Sequence, residues 1–429
     1  MEHDKAPKFC LMPFITLNTR PNGQVKPCSQ VMGMPGIKAD STVETILSST
    51  SPACNLTKDT VESVWNSRFM QDFRMKKINN EYIEFCETCY QEDAMGVTSK
   101  RQAVINSYYS DNKHLVEEAA ANNGIMSTMP VWWELRLSSI CNQSCRMCVP
   151  QTSSKMRNEF EKFKNDLPTS VRQNVDSAVI QYKNHGYLGD SAYFLDQFWK
   201  NISDIKYLEL HGGEPTADKT LWELVERVVD SGHSKHMHVH VHTNIHSLTK
   251  RHVDLWDQFK SGWIGVSIDA YSEENEYIRH GSSWSSIERN LQLLNRLGVH
   301  WDKWITSSVM AYNSCTMHRL IDWFVKYVDT NNIKNISWRM DAVVNPNLVR
   351  IEHVPMHLRL AAVDKLQPLI GTSDQQTNES ILSLINALKS TQTPTEGSYQ
   401  EFIQYTRVLD DKRNQSVLNT FPHLKEMFV

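Results

Sequence analysis

Residues 141–148 read CNQSCRMC, three cysteines spaced C-x3-C-x2-C, and no other stretch limits the possible folds as strongly. A run rich in β-branched and aromatic residues, VWWELRL at 131–137, precedes them between Pro130 and the turn-forming Ser138 and Ser139, so the thiols are expected on a loop that leaves a strand. Three cysteines in eight residues are too crowded for a disulfide framework. A tetrahedral zinc takes four ligands, which a distant His would have to complete. A cubane iron–sulfur cluster is usually held by four thiolates; with three, one iron has no protein ligand and is open to bind and activate something else.

At 429 residues the chain has room for two or three domains, one of them barrel-sized. A net charge of -4 gives no sign of the basic surface of a dedicated nucleic-acid binder, so nucleic acid is not an expected partner. The charged opening at 1–8 is followed by no apolar signal region. No apolar run approaches the ~18 to 20 residues that span a bilayer. The expectation is a cytoplasmic chain without a membrane partner. Thiols stay reduced there, and its nine cysteines point to metal binding or redox chemistry before disulfides. Three lie in the central loop and four form two N-terminal pairs, which leaves Cys54 and Cys315 as packing residues.

The N-terminal pairs frame a small module. Cys10 and Cys28 flank two strand-like runs joined by a turn at Pro21, Asn22 and Gly23. A loop, MGMPG at 32–36, follows, then short helices expected at 43–46 and 61–77, the second with Trp65, Phe69 and Phe73 in a core-facing stripe. Cys86 and Cys89 then form a C-x2-C pair expected on a turn. Four thiolates make one site, for which zinc and an iron–sulfur cluster are both admissible. Residues 104–130 read as a linker with one short helical stretch, ending in Asn122, Asn123 and Gly124.

From residue 131 the pattern alternates strand and helix, which predicts a parallel sheet. After a helix at 153–166 and a helical insertion reaching about residue 204, a second strand at 205–210 runs into HGGEPTAD, 211–218. Gly212 and Gly213 allow close backbone approach to a ligand, and Glu214 offers a carboxylate for an ammonium group. A helix at 219–230 leads to HMHVHVHTN, a strand that places His236, His238, His240 and His242 on one face. Neighbours on that face are ~7 Å apart, so one metal cannot take all four. His242, at the strand's end, is the single candidate to move a proton at a substrate. The fourth strand, 263–268, ends at Ser267, which can donate and accept, and Asp269, suited to ribose hydroxyls or to capping the next helix. Arg279 suits the cofactor carboxylate or an anionic substrate, or a surface ion pair. A helix at 285–297, a fifth strand at 305–310 and a sixth at 336–344 follow, the last with Arg339 and Asp341 sharing a face. Residues 348–429 read as helices that cover the rest or meet a partner.

The cysteine spacing resembles the signature of the radical S-adenosylmethionine (radical SAM) enzymes, and Gly212, which stands 64 residues after Cys148, falls where their glycine-rich motif binds the cofactor's amino group. The resemblance spans about 131–345. It implies that Cys141, Cys145 and Cys148 hold a 4Fe-4S cluster whose open iron chelates S-adenosylmethionine, that Gly212, Gly213 and Glu214 fix its methionine end, and that Thr243, Ser267, Asp269 and Asn313 line the rest of its pocket. Residues 9–101 resemble the twitch or SPASM modules that carry auxiliary 4Fe-4S clusters, which makes Cys10, Cys28, Cys86 and Cys89 ligands of a second cluster, with zinc the alternative. Such modules usually follow the barrel; here the module precedes it.

The resulting expectation is an α/β chain: a cysteine-rich α+β module (1–103), a linker (104–130), a (β/α)6 partial TIM-like barrel (131–345) and a helical extension (346–429). Its activity would be reductive cleavage of S-adenosylmethionine and hydrogen abstraction from a peptide or small molecule, with flavodoxin or ferredoxin as electron donor. The alternative is a non-catalytic iron–sulfur or zinc scaffold within an assembly.

Overall fold

The computed structural model describes residues 7–31, 34–94 and 98–429, with the side chains of 184 and 185 excepted. The start of the charged opening and Met32 and Gly33 of the MGMPG loop lie outside the described residues. Among the described residues ten strands occur, in the order β1 (Thr16–Thr19), β2 (Val25–Lys26), β3 (Trp132–Arg136), β4 (Ser144–Cys145), β5 (Tyr207–His211), β6 (His238–Thr243), β7 (Ser261–Ser267), β8 (Arg279–His280), β9 (Trp301–Val309) and β10 (Ile336–Ala342). The six expected barrel strands are β3, β5, β6, β7, β9 and β10, alternating with helices in the α/β order of a (β/α)6 partial barrel.

The chain divides into two compact units, the first made of Met1–Ser138, His185–His211 and Asp230–Val239, the second of Ser139–Asn184, Gly212–Val229 and His240–Val429. In the first, β1 and β2 form the expected hairpin, antiparallel with Asn18 opposite Lys26, and Gly23 takes the left-handed turn conformation at φ 85°. The hairpin is not separate from the sheet that follows: β1 pairs in parallel with β3, and β3 with β5. Trp65, Phe69 and Phe73 are buried in the core, as their spacing predicts. The helix expected at 61–77 is two, Val61–Trp65 and Arg68–Ile78, because Ser67 caps the second by accepting from Met70 N. Residues 43–48, expected to include a helix, form turns. Most of the expected 104–130 linker belongs to a 22-residue helix, Lys100–Ala121, capped by Ser99. Its polar face masks it in sequence, since it buries few apolar residues, among them Val104, Leu115 and Ala119.

In the second unit β7, β9 and β10 run parallel, with Ser267 opposite Thr306 and Trp338 opposite Ile305, and β6 borders β7. Residues 301–309 alternate buried with half-buried or exposed along β9, the period-2 pattern of a strand with one face in the core, and the strand starts four residues before the expected position. His236 is not on β6 with the other histidines; it ends a 3-10 turn, His233–His236. Helices Met356–Leu366, Gln375–Leu388 and Glu396–Arg413 build the expected C-terminal extension. No helix of the described residues is long and apolar enough to cross a membrane.

Candidate functional site

All the residues expected to hold the cofactor from 139 onward lie in the second unit. The loop leaving β3 carries Cys141, then Cys145 on β4, then Cys148. β4 pairs antiparallel with β8, Cys145 opposite Arg279, and Ser153 Oγ donates to Gln143 O at 2.9 Å, pinning the loop's middle. Burial, then Cys145, push the Cys141 thiol up to about 12; a hydrogen bond with Cys148, then burial, raise Cys145 well above the usual range. Crowded, protonated thiols of this kind give up their protons when a metal binds.

The GGE loop lies directly on this one. A Cβ at Gly213 would sit 2.2 Å from Ile140 O and 2.6 Å from Ser139 O, and Glu214 N donates to Ile140 O at 2.8 Å. The glycine therefore serves the approach of two backbones to each other. The Glu214 side chain is buried. Its Oε1 accepts from Thr216 N at 2.9 Å, Thr216 Oγ1 at 2.7 Å and Thr243 Oγ1, and its Oε2 from Asn244 N at 2.7 Å. The carboxylate expected to meet an ammonium is thus largely spent tying the GGE loop to the end of β6. Asn244 Nδ2 in turn donates to Asn142 Oδ1 at 2.8 Å, joining that end to the cysteine loop.

Asp269 and Arg279 pair with each other. Arg279 Nε stands 2.7 Å from Asp269 Oδ2, and Nη2 donates to Oδ1 at 3.0 Å. Both residues are buried, so the ion pair expected of Arg279 is internal rather than on the surface. Asn313 is fully buried as well: Nδ2 donates to Asp269 O at 2.7 Å and Oδ1 accepts from Met310 N at 2.8 Å. Both residues staple the ends of β7 and β9. Ser267, at the end of β7, is half-buried.

The histidine row is aromatic packing in large part. His240 stacks on Trp263 at 4.7 Å between ring centroids, and half-buried His242 meets the same ring edge-on at 4.7 Å. Arg339 lies over Trp304 at 3.6 Å, and among the described residues it makes no ion pair with Asp341.

Sequence reasoning missed what anchors the cysteine loop. Arg146, fully buried between two of the cysteines, donates through Nη2 to Asp410 Oδ1 at 2.7 Å and lies over the Tyr277 ring at 3.7 Å. Tyr405 Oη donates to Arg146 O at 2.9 Å, and Arg413 Nη2 donates to Ser144 Oγ at 2.8 Å. Three residues of the helix Glu396–Arg413 therefore grip it. The one sequence signal was an arginine inside a cysteine motif, which needs an acid when buried.

In the first unit Cys10, Cys28, Cys86 and Cys89 line one cavity with Lys77, Lys100 and Arg101. Cys86 ends a 3-10 turn and Cys89 sits in the first turn of the helix Glu87–Ala94, not on an open turn. All are free thiols. Burial, then Cys28, push Cys89 up to about 12. Burial pulls the Lys77 ammonium down, but Cys86, Tyr90 and Cys10 outweigh it and the net shift is upward.

Both cysteine sets fit metal clusters on their surroundings. Gln143 is buried with Nε2 lacking an acceptor, a donor that cluster or cysteine sulfur would satisfy. Lysine and arginine charge surrounds the N-terminal four.

The radical SAM superfamily model matches residues 135–323, and SPASM, an iron–sulfur cluster-binding domain, matches 10–90. No curated protein matches the chain. Among solved structures, SuiB from Streptococcus suis bound to precursor peptide SuiA aligns over 74% of this chain and 66% of its own, at 16% identity and a TM-score of 0.35. TYW1 with a lysine-pyruvate adduct aligns over 53% and 70%, at 16% identity and 0.28. Histidine-tagged anSMEcpe with bound AdoMet aligns over 38% and 44%, at 15% identity and 0.28, so this chain spans under half of that protein.

Proposed function

From a chain that carries a radical SAM domain and an SPASM iron–sulfur domain, we propose reductive cleavage of S-adenosylmethionine followed by hydrogen abstraction from a peptide or small-molecule substrate. The observation that supports it is that the GGE loop and the end of β6 are hydrogen-bonded to the three-cysteine loop, while the ends of β7 and β9 reach it through the Asp269–Arg279 pair beside Cys145. Cys141, Cys145 and Cys148 would hold the cofactor-binding 4Fe-4S cluster, and Cys10, Cys28, Cys86 and Cys89 the second. When bound, the cluster would supply one electron and S-adenosylmethionine the carbon–sulfur bond that it cleaves, with release of methionine and hydrogen-abstracting power at the adenosyl carbon.

The chain's own residues hold and orient. Gly213 lets the 212–214 backbone lie against the cysteine loop, where it would hold the cofactor's methionine end; Ser267 would offer its hydroxyl to the ribose. Glu214, Thr243, Asp269 and Asn313 act as positioning residues, each fixing a strand end that lines the pocket. Arg279 sets a positive charge opposite Cys145. His242 is the group that holds or moves a proton near the substrate. In this reading 1–103 is the auxiliary module, 131–345 the catalytic barrel and 346–429 the extension that clamps it, with flavodoxin or ferredoxin as electron donor. The auxiliary module favours peptide modification or small-molecule oxidation, by its resemblance to twitch and SPASM modules.

The test is anaerobic reconstitution of wild type and of Cys141→Ala/Cys145→Ala/Cys148→Ala, with iron and sulfide content and a 5′-deoxyadenosine assay under strong reductant. About eight irons falling to about four, with 5′-deoxyadenosine lost, is the expected result. Binding of S-adenosylmethionine without cleavage by wild type would instead favour the scaffold.

A further inference from the structure

Among the described residues three cations line the four-cysteine cavity of the first unit, and two of them are neutralised by acids. Arg101 Nε donates to Asp93 Oδ2 at 2.9 Å, and Lys100 Nζ stands 2.7 Å from Glu134 Oε1. Lys77 differs. It is 0% exposed, and its ammonium donates to Tyr90 Oη at 2.7 Å and, at a long 3.4 Å, to Lys8 O. Among the described residues no carboxylate pairs with it.

A buried ammonium with only neutral partners is costly, because desolvation removes its hydration and nothing returns the lost charge stabilisation. Such a group persists where a negative charge faces it. The charge at hand is the site itself: four cysteine thiolates around an iron–sulfur core carry net negative charge, and reduction adds one more. A fixed positive charge beside the core favours the reduced form over the oxidised one, and net charge is one of the factors that set cluster potentials. Lys77 stands in the helix Arg68–Ile78, one turn beyond Phe73 on the buried face that also carries Phe69, so its backbone is held and the charge is preorganised. Lys76, the residue just before it, instead meets Glu44 at 2.5 Å and Glu81 at 2.9 Å on the surface.

We propose that Lys77 is the counter-ion of the auxiliary iron–sulfur site and raises its reduction potential, which suits that site to accepting an electron. This rests on the reading of Cys10, Cys28, Cys86 and Cys89 as cluster ligands. Lys100 and Arg101, already balanced by Glu134 and Asp93, contribute less. Lys77 is thus a positioning residue acting on charge, and a midpoint potential reports it where a purely structural role would not.

The experiment uses the full-length chain with Cys141→Ala/Cys145→Ala/Cys148→Ala, so that only the N-terminal cluster is present, in a redox titration followed by electron paramagnetic resonance. Lys77→Met is expected to lower the midpoint, Lys77→Arg to keep it at the parent value, and Lys76→Met to leave it unmoved. A Lys77→Met midpoint equal to the parent's, at equal iron content, overturns the proposal. If Lys77→Met fails to hold the cluster, Lys77→Arg decides: retention there supports the counter-ion, and loss in both overturns it. A parent protein that holds zinc or no metal at the four cysteines fails the underlying reading, a result distinct from an unmoved midpoint, and the proposal falls with it.

Discussion

A Cβ on Gly213 would lie 2.2 Å from the Ile140 carbonyl oxygen, and both partners are backbone, which cannot swing aside as a side chain tip can. Gly213→Ala is expected to force the GGE loop off the cysteine loop. The cost would be on the order of 1–3 kcal/mol, as for other overpacked sites. Urea unfolding reads the stability loss, and S-adenosylmethionine binding by the reconstituted protein is expected to fall at least tenfold; unchanged binding would show that the loops' contact is not what shapes the pocket. His252 gives a pH-dependent case. It stacks on Trp222 at 4.0 Å and its Nδ1 accepts from Thr249 N at 3.3 Å, completing a capping box. Burial, then Arg251, lower it to about 4. The folded chain therefore binds fewer protons than the unfolded one between about pH 6.5 and 4, and stability is lost as pH falls through that window. His252→Gln keeps an acceptor without a titrating ring. The difference in unfolding midpoint between pH 7 and pH 5 should shrink in that variant, and an equal difference in both proteins would place the effect elsewhere.

At the scale of elements, the helix Glu396–Arg413 holds the cysteine loop through Asp410, Tyr405 and Arg413. Asp410 also accepts from Tyr277 Oη at 2.7 Å and from Val417 N at 2.6 Å. Asp410→Ala leaves the fully buried Arg146 without its acid, a change that typically costs about 3–5 kcal/mol. The expected outcome is an earlier unfolding midpoint and loss of about four irons, those of the loop, while the N-terminal site keeps its own. Iron analysis beside urea unfolding checks both; an intact iron count at a shifted midpoint would confine Asp410 to stability. Nothing in the sequence of 396–413 marks this role, because the pairing spans more than 250 positions. The cysteine spacing, by contrast, is local and was legible.

Across the whole chain, each cysteine set falls within one compact unit, and the six barrel strands sit where periodicity placed them, with ends moved by a few residues. Strand and helix identities were readable because alternation and apolar stripes are properties of neighbouring residues. So was the grouping of the cysteines, since Cys141, Cys145 and Cys148 lie within eight positions and Cys86 and Cys89 within four. The long helix Lys100–Ala121 was shortened in sequence because most of its faces meet water, and the hairpin's pairing with β3 was missed because register between distant strands leaves no local trace. By itself the sequence determined the chemistry available, the thiols, glycines and acids and their order along α/β units. Only the tertiary structure decided which of those groups stay open to a ligand. Glu214, Asp269 and Asn313 became supports and Lys77 was left facing the thiols, because burial and pairing between residues far apart in the chain settle where a charge or hydrogen bond finds its partner.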